Sequence, residues 1–184
     1  MYFEKAGHHN TDKSLEIAFS EAAKRGIKHV VIASSLGDTA EKALEYKKKN
    51  PDLNIVVVTH NTGFKTPGVQ EFREKTGEMM KEAGIQVLTG TMVTRNLGKS
   101  IKKNLGFSQE DVCCSSWRMF GQGTKVCIEI AAMACDAGLI PPDDVISVSG
   151  TGRGADTVII ISAMPSNEMF GMKIREILAK PLDW

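Results

Sequence analysis

Two short runs of β-branched residues constrain this chain most. His29–Ala33 holds Val30, Val31 and Ile32 with no polar residue between them, and Asn54–Thr59 holds Ile55, Val56, Val57 and Val58. A strand with one wet face alternates apolar and polar residues. A strand that is apolar at every position is covered on both faces, as in a parallel sheet between layers of helices. Helical patterns surround these runs. Leu15, Ala18, Phe19 and Ala22 share one face of a helix from Thr11 or Asp12 to about Arg25, stopped by Gly26. Thr39–Lys49 is a second helix, ended by Asn50-Pro51. Ile85–Leu88, Val145–Val148 and Thr157–Ile161 read as further strands. Helices are expected from Pro67 to about Ala83, over Leu97–Asn104, over Thr124–Ala137 and over Glu168–Ala179. Residues 106–123 read as a functional loop or lid, and residues 1–10 as a polar loop. The turn before Thr157 is too short for a crossover helix, so its two strands are antiparallel neighbours. Together these predict one α/β domain over residues 1–184, a three-layer α/β/α sandwich on a mostly parallel sheet.

Polar and glycine-rich groups collect after the strands. After Ala33 come Ser34, Ser35, Leu36, Gly37, Asp38 and Thr39, and a helix opens at once, with Asp38 as its expected N-cap and Glu41 three residues on. Free N–H groups, hydroxyls and the helix dipole make such a turn a seat for phosphate or carboxylate. The second strand ends in Thr59-His60-Asn61, and the fourth runs into Gly150-Thr151-Gly152-Arg153-Gly154. Ligands of parallel sheets bind beyond the carboxyl ends of the strands, where the strand order reverses.

Net charge is +1, so nothing in it draws the chain to nucleic acid or a membrane surface. No apolar run reaches the ~18 residues of a membrane span. The start, Met1-Tyr2-Phe3-Glu4-Lys5, lacks the apolar core of a signal peptide, and the chain reads as cytoplasmic. Cys113, Cys114, Cys127 and Cys135 include no Cys-x-x-Cys pair, so no metal site is expected and reduced thiols are.

The turn Ser34-Ser35-Leu36-Gly37-Asp38-Thr39-Ala40 and the hairpin loop Gly150–Gly154 resemble those of the regulatory C-terminal domain of pyruvate kinase, over residues 11–60 and 143–162. More closely, the whole chain resembles a stand-alone, mostly archaeal family of uncharacterised function with that domain's fold. The strings Thr59-His60-Asn61-Thr62-Gly63-Phe64, Phe120-Gly121-Gln122-Gly123 and Gly150–Asp156 carry the match. With the five expected strands numbered along the chain, the resemblance implies sheet order 3-2-1-4-5, the fifth antiparallel. The Ser34 turn and the glycine turn then face each other across the reversal. It does not imply kinase activity, since the kinase's catalytic barrel is absent. Leu36 replaces a hydroxyl residue of the kinase's effector loop and Asp38 adds a negative charge, which favours a single phosphomonoester over a sugar bisphosphate. Similar stand-alone proteins point to flavin mononucleotide (FMN).

The leading expectation is thus a binding site for a phosphorylated small molecule, with FMN first and room for a homo-oligomer. Ser34, Ser35, Gly37, Asp38 and Thr39 would surround the phosphate, with Thr151, Gly152, Arg153 and Gly154 opposite. His60, Asn61, Thr91 and Met92 would line the pocket, Trp117 or Phe120 would cover the ring, and Arg118 is counted among the ligand-binding residues. The alternatives are a flavin-free enzyme acting on a phosphorylated metabolite, with His60 as acid–base and Cys113 or Cys114 as nucleophile, and an effector-sensing module. No triad is legible in the sequence.

Overall fold

The computed structural model describes all 184 residues. Along the chain run β1 (Tyr2–Lys5), α1 (Thr11–Arg25), β2 (His29–Ala33), α2 (Asp38–Lys49), β3 (Asn54–Val58), α3 (Glu74–Glu82) and β4 (Gln86–Leu88). There follow α4 (Asn96–Leu105), α5 (Gln109–Arg118), α6 (Gln122–Asp136), β5 (Asp144–Ser149), β6 (Thr157–Ser162) and β7 (Lys173–Asp183). Short 3-10 turns occupy His8–Asn10 and Ser166–Gly171. No helix is long and apolar enough to cross a membrane.

The period of two along each strand builds the layers. Val30 and Ile32 of β2, Ile55 and Val57 of β3, and Ile146 and Val148 of β5 share a core with Leu15, Phe19, Ala40 and Met80 of α1, α2 and α3. Val31, Val56, Val58 and Val145 share a second core with Cys127, Ile130, Ala131 and Ala134 of α6. Each fully buried Val or Ile side chain contributes about 1.5–3 kcal/mol, so the all-apolar runs stabilise both interfaces at once.

The sheet has seven strands, in order β1-β7-β6-β5-β2-β3-β4. The expected sheet of five strands is therefore corrected to seven, within which the five expected strands, β2 to β6, keep the neighbour order 3-2-1-4-5. β2 is parallel to β3 and β5, β3 is parallel to β4, and the hairpin pair β5–β6 is antiparallel. The two additional strands come from the ends of the chain, where β7 pairs antiparallel with β6 and β1 pairs parallel with β7.

The reason β7 resembles a helix in the sequence is a bulged register. Ile174 and Ile177 stand three apart, which is helical spacing, yet they pair with Ile161 and Ile159, two apart on β6. The register shift absorbs the extra residue. The other departures are local. Pro67-Gly68 forms a tight turn, with Gly68 at φ 79° and Val69 N–H donating to Thr66 O at 3.0 Å, so α3 starts only at Glu74. Residues 106–123 are not an open loop: Ser108 Oγ accepts from Asp111 N–H and caps α5.

Gly123 lets α6 lie directly on the sheet. A Cβ there would stand 2.0 Å from Thr157 Oγ1 and 2.4 Å from its Cβ. Gly77, inside α3, would meet nothing nearer than Phe72 at 4.0 Å. Gly123→Ala should cost about 1–3 kcal/mol through overpacking. Gly77→Ala should add about 0.5–1 kcal/mol through helix propensity. Paired urea unfolding curves read both signs.

Candidate functional site

The register of β2 with its neighbours sets three chain segments side by side. Ala33 pairs with Val58, and Ile32 with Val148, so β2, β3 and β5 end almost level. Their continuations enclose a cleft of about 120 Å³. One wall is polar, with Ser35, Thr39, His60 and the Gly150–Gly154 turn. The other is apolar, with Val58, Met92, and Val126, Ile130 and Met133 of α6.

The turn from β2 to α2 is held by groups that leave its N–H donors free. Ser34 N–H donates to Val58 O at 3.0 Å, and buried Ser34 Oγ accepts from Ala40 N–H. Gly37, not Asp38, is the N-cap, at φ 113°, where a Cβ would stand 2.8 Å from Thr76. The N–H groups of Ser35, Leu36, Gly37, Asp38 and Thr39 donate to no protein group. The Thr39 hydroxyl has no protein partner either, and Thr39 is only 3 % exposed. Asp38 instead pairs with Arg73 at 2.8 Å and Arg153 at 3.1 Å. These two guanidiniums, Arg73 first, hold its carboxyl below the usual aspartate range.

The glycine turn is fixed from behind. The fully buried carboxyl of Asp156 accepts from Gly7 N–H (3.0 Å), Thr151 N–H (3.1 Å) and Thr157 Oγ1 (2.8 Å). Gly154 lies so close to α1 that a Cβ would meet Thr11 Oγ1 at 2.5 Å. Thr151 Oγ1 is buried without a partner.

At the end of β3, His60 Nε2 lies 3.1 Å from Ser35 Oγ, and His60 Nδ1 lies 3.2 Å from Glu71 Oε2. Glu71 Oε1 also pairs with Lys65 at 2.5 Å. Lys65, then His60, lower the Glu71 pKa, so its carboxylate is ionised at neutral pH. Phe64 stacks on His60 with ring centroids 3.7 Å apart, and the Arg95 guanidinium lies 4.3 Å over Phe64. Arg95 lines the cleft and pairs with no carboxylate. The segment before it is anchored by fully buried Glu129 of α6, which accepts from Thr94 N–H and Oγ1 and pairs with buried Lys125 at 2.5 Å.

Of the residues singled out in the sequence, Ser34, Ser35, Asp38, Thr39, His60, Met92, Gly152, Arg153 and Gly154 line this cleft. Gly37 shapes it without lining it. Asn61 turns to Thr62 O, Thr91 is exposed, and Thr151 stands behind the wall. Trp117 packs against the α6 core beside a separate hollow with Cys113, and Arg118 Nε donates to Gln122 Oε1. The sequence reading missed Arg95 and Glu71. Arg95 stands one residue before α4, a place that carries no motif. Glu71 lay inside a span assigned to helix.

No protein-family model matches the chain. Among solved structures, a pyruvate kinase from Cryptosporidium parvum is 17 % identical over 82 % of this chain and 23 % of that chain, with TM-score 0.43. A Cryptosporidium parvum pyruvate kinase in complex with ADP is 17 % identical over 84 % and 24 %, with TM-score 0.45. The chain thus spans about a quarter of the length of these pyruvate kinases.

All four cysteines are free. Cys127 is fully buried against Ser147 and Ser149, and burial pushes its thiol up to about 12. Cys114 is buried with Sγ on Thr94 Oγ1 at 3.1 Å. Iodoacetamide at neutral pH should therefore label Cys113 in the folded protein, and Cys135 more slowly, since burial and then Asp136 push its thiol up. Cys114 and Cys127 should react only on unfolding, read by peptide mass spectrometry.

Proposed function

We propose that this protein binds a phosphorylated small molecule, with the phosphate seated on the turn between β2 and α2. The observation that carries this reading is the run of five consecutive N–H groups, Ser35 to Thr39, that no protein acceptor uses. Such a run at a helix N-terminus concentrates donors and positive potential on one spot. Arg95 adds a cation with no carboxylate of its own, and Thr39 adds a free hydroxyl. Arg153 is already engaged by Asp38, so it closes the mouth more than it charges it.

The cleft's size decides how much of a ligand is enclosed. About 120 Å³ is well below the ~300–1,000 Å³ of sites that surround an organic ligand. A phosphate and the atoms next to it fit. For FMN, the residues suit the phosphate end, and the apolar strip of Met92, Val126 and Ile130 suits the first part of an organic body. The three-ring system would lie outside the enclosed space, toward half-buried Phe64 and Arg95. FMN is therefore the first ligand to test. When bound, a flavin would bring redox chemistry that the chain's own side chains do not have.

Inorganic phosphate should bind, measured by calorimetry, and should compete with FMN, measured by quenching of flavin emission. Thr39→Val and Arg95→Gln each remove a bond to a charged group worth about 1.5–3 kcal/mol. Each should weaken phosphate about 10- to 150-fold with the melting temperature little changed. Absence of phosphate binding at millimolar concentration would refute the seat. Phosphate binding without FMN binding would refute the flavin.

A further inference from the structure

The phosphate reading leaves unused two side chains of the cleft, Ser35 and His60, and Glu71 behind them. They form a continuous chain, hydroxyl to imidazole at 3.1 Å and imidazole to carboxylate at 3.2 Å. We propose that this chain is a nucleophile–base–carboxylate relay and that the protein transfers or hydrolyses small acyl groups from esters or thioesters through Ser35. The inference uses the same turn as the phosphate seat but does not depend on phosphate being a ligand.

In the neutral imidazole, which a general base must be, the hydrogen-bond chemistry allows one arrangement of protons. Glu71 is ionised, because Lys65 stands beside it, and an ionised carboxylate only accepts. His60 Nδ1 must therefore carry the proton and donate to Glu71. That leaves the lone pair on Nε2, which faces Ser35 Oγ, free to take the hydroxyl proton. The imidazole is also held against rotation, since Phe64 stacks on it at 18° between ring planes. Glu71 is itself nearly buried, with its side chain 11 % exposed, and Ser35 opens to the cleft. The chain is thus oriented from the inside outward, as base-assisted attack requires.

The surroundings supply the remaining part. When Ser35 Oγ attacks an acyl carbon, its proton passes to His60 Nε2 and the carbonyl electron pair moves onto oxygen. That oxyanion needs donors fixed in advance. The N–H groups of Leu36 and Gly37, next along the chain from Ser35, donate to no protein group and are the donors nearest in sequence to the nucleophile. On collapse the carbonyl re-forms, the bond to the leaving oxygen or sulfur breaks, and His60 returns the proton to that atom. Water then enters with His60 as base, releases the acid and restores Ser35. No oxidant, reductant or metal is consumed. The acyl class follows from the cleft, whose 120 Å³ beside Val58, Met92 and Ile130 takes a short apolar acyl chain and excludes a long one.

The test uses a fluorophosphonate probe and p-nitrophenyl acetate on the full-length protein. The probe should label Ser35, identified by peptide mass spectrometry, and p-nitrophenyl acetate should be cleaved catalytically. Ser35→Ala and His60→Gln should each lower the rate at least about a hundredfold. Glu71 acts as a positioning residue, so Glu71→Gln should lower kcat about tenfold or more with KM nearly constant. Cys113→Ser and Cys135→Ser should each leave the rate unchanged, which excludes acylation of the two accessible thiols. Circular dichroism and melting temperature verify the fold of each variant. An unlabelled Ser35, or a folded Ser35→Ala protein that cleaves at the parent rate, would overturn the proposal. Ser35→Ala keeps all five N–H groups, so its phosphate affinity, titrated in parallel, reads the seat separately from the nucleophile.

Discussion

The cleft depends on the fully buried carboxyl of Asp156. Its oxygens gather Gly7, Thr151 and Thr157, which belong to the N-terminal segment, the glycine turn and β6. Three donors to one carboxyl offset the cost of removing it from water, which without them runs to several kcal/mol. The turn Gly150–Gly154 therefore cannot drift from α1, and its position over the Ser34 turn follows. Glu129 does the same for a second wall. Lys125, one helical turn away, and Thr94 complete its partners, so the segment that carries Met92 and Arg95 is fastened to α6. Breaking a buried pair of this kind by removing one partner costs about 3–5 kcal/mol. The site thus rests on two polar anchors set in otherwise apolar surroundings.

One turn presents two kinds of chemical group here. Its backbone offers five donors toward a negative charge, and its Ser35 side chain faces away from helix capping toward His60. Ser34 takes the capping work instead, through Ala40. The adjacent serines look alike in the sequence and both border the cleft, yet Ser34 is buried with its hydroxyl on Ala40 N–H and Ser35 turns its hydroxyl to an imidazole. Asp38 likewise changes meaning. In the sequence it is an N-cap and an obstacle to phosphate. In the fold it is neutralised by Arg73 and Arg153 and ties the glycine turn to α2.

The parts that local pattern controls were legible. Val30–Ile32 and Ile55–Val58 marked doubly covered strands, and the short link before Thr157 required an antiparallel pair. The Ser34 turn, His60 and the Gly152 turn could be brought together because parallel strands deliver their carboxyl ends to one edge. What escaped was either non-local or disguised. Glu71 reaches His60 from a turn 11 residues on, with no spacing rule to announce it. Arg95 gains its role from the Thr94–Glu129 anchor, a contact 35 residues apart. The bulge in β7 converted a strand's alternation into a helix's spacing of three, and the sheet gained two strands that periodicity had hidden.

That same β7 raises the question of how the sheet avoids growing further. Its neighbour β1 covers only Lys180–Asp183, so one edge of Lys173–Ile177 stays open. An open run of backbone donors and acceptors is a template on which another copy can add a strand. Here the run carries Lys173, Arg175 and Glu176, all exposed, with Arg175 paired to Asp144 and Glu176 to Arg25. A second β7 laid alongside would have to fit its backbone beside this row of charged, exposed side chains. The far edge, β4, is only three residues long. Charged side chains on one border and sheer shortness on the other are the features of this fold that oppose further strand addition.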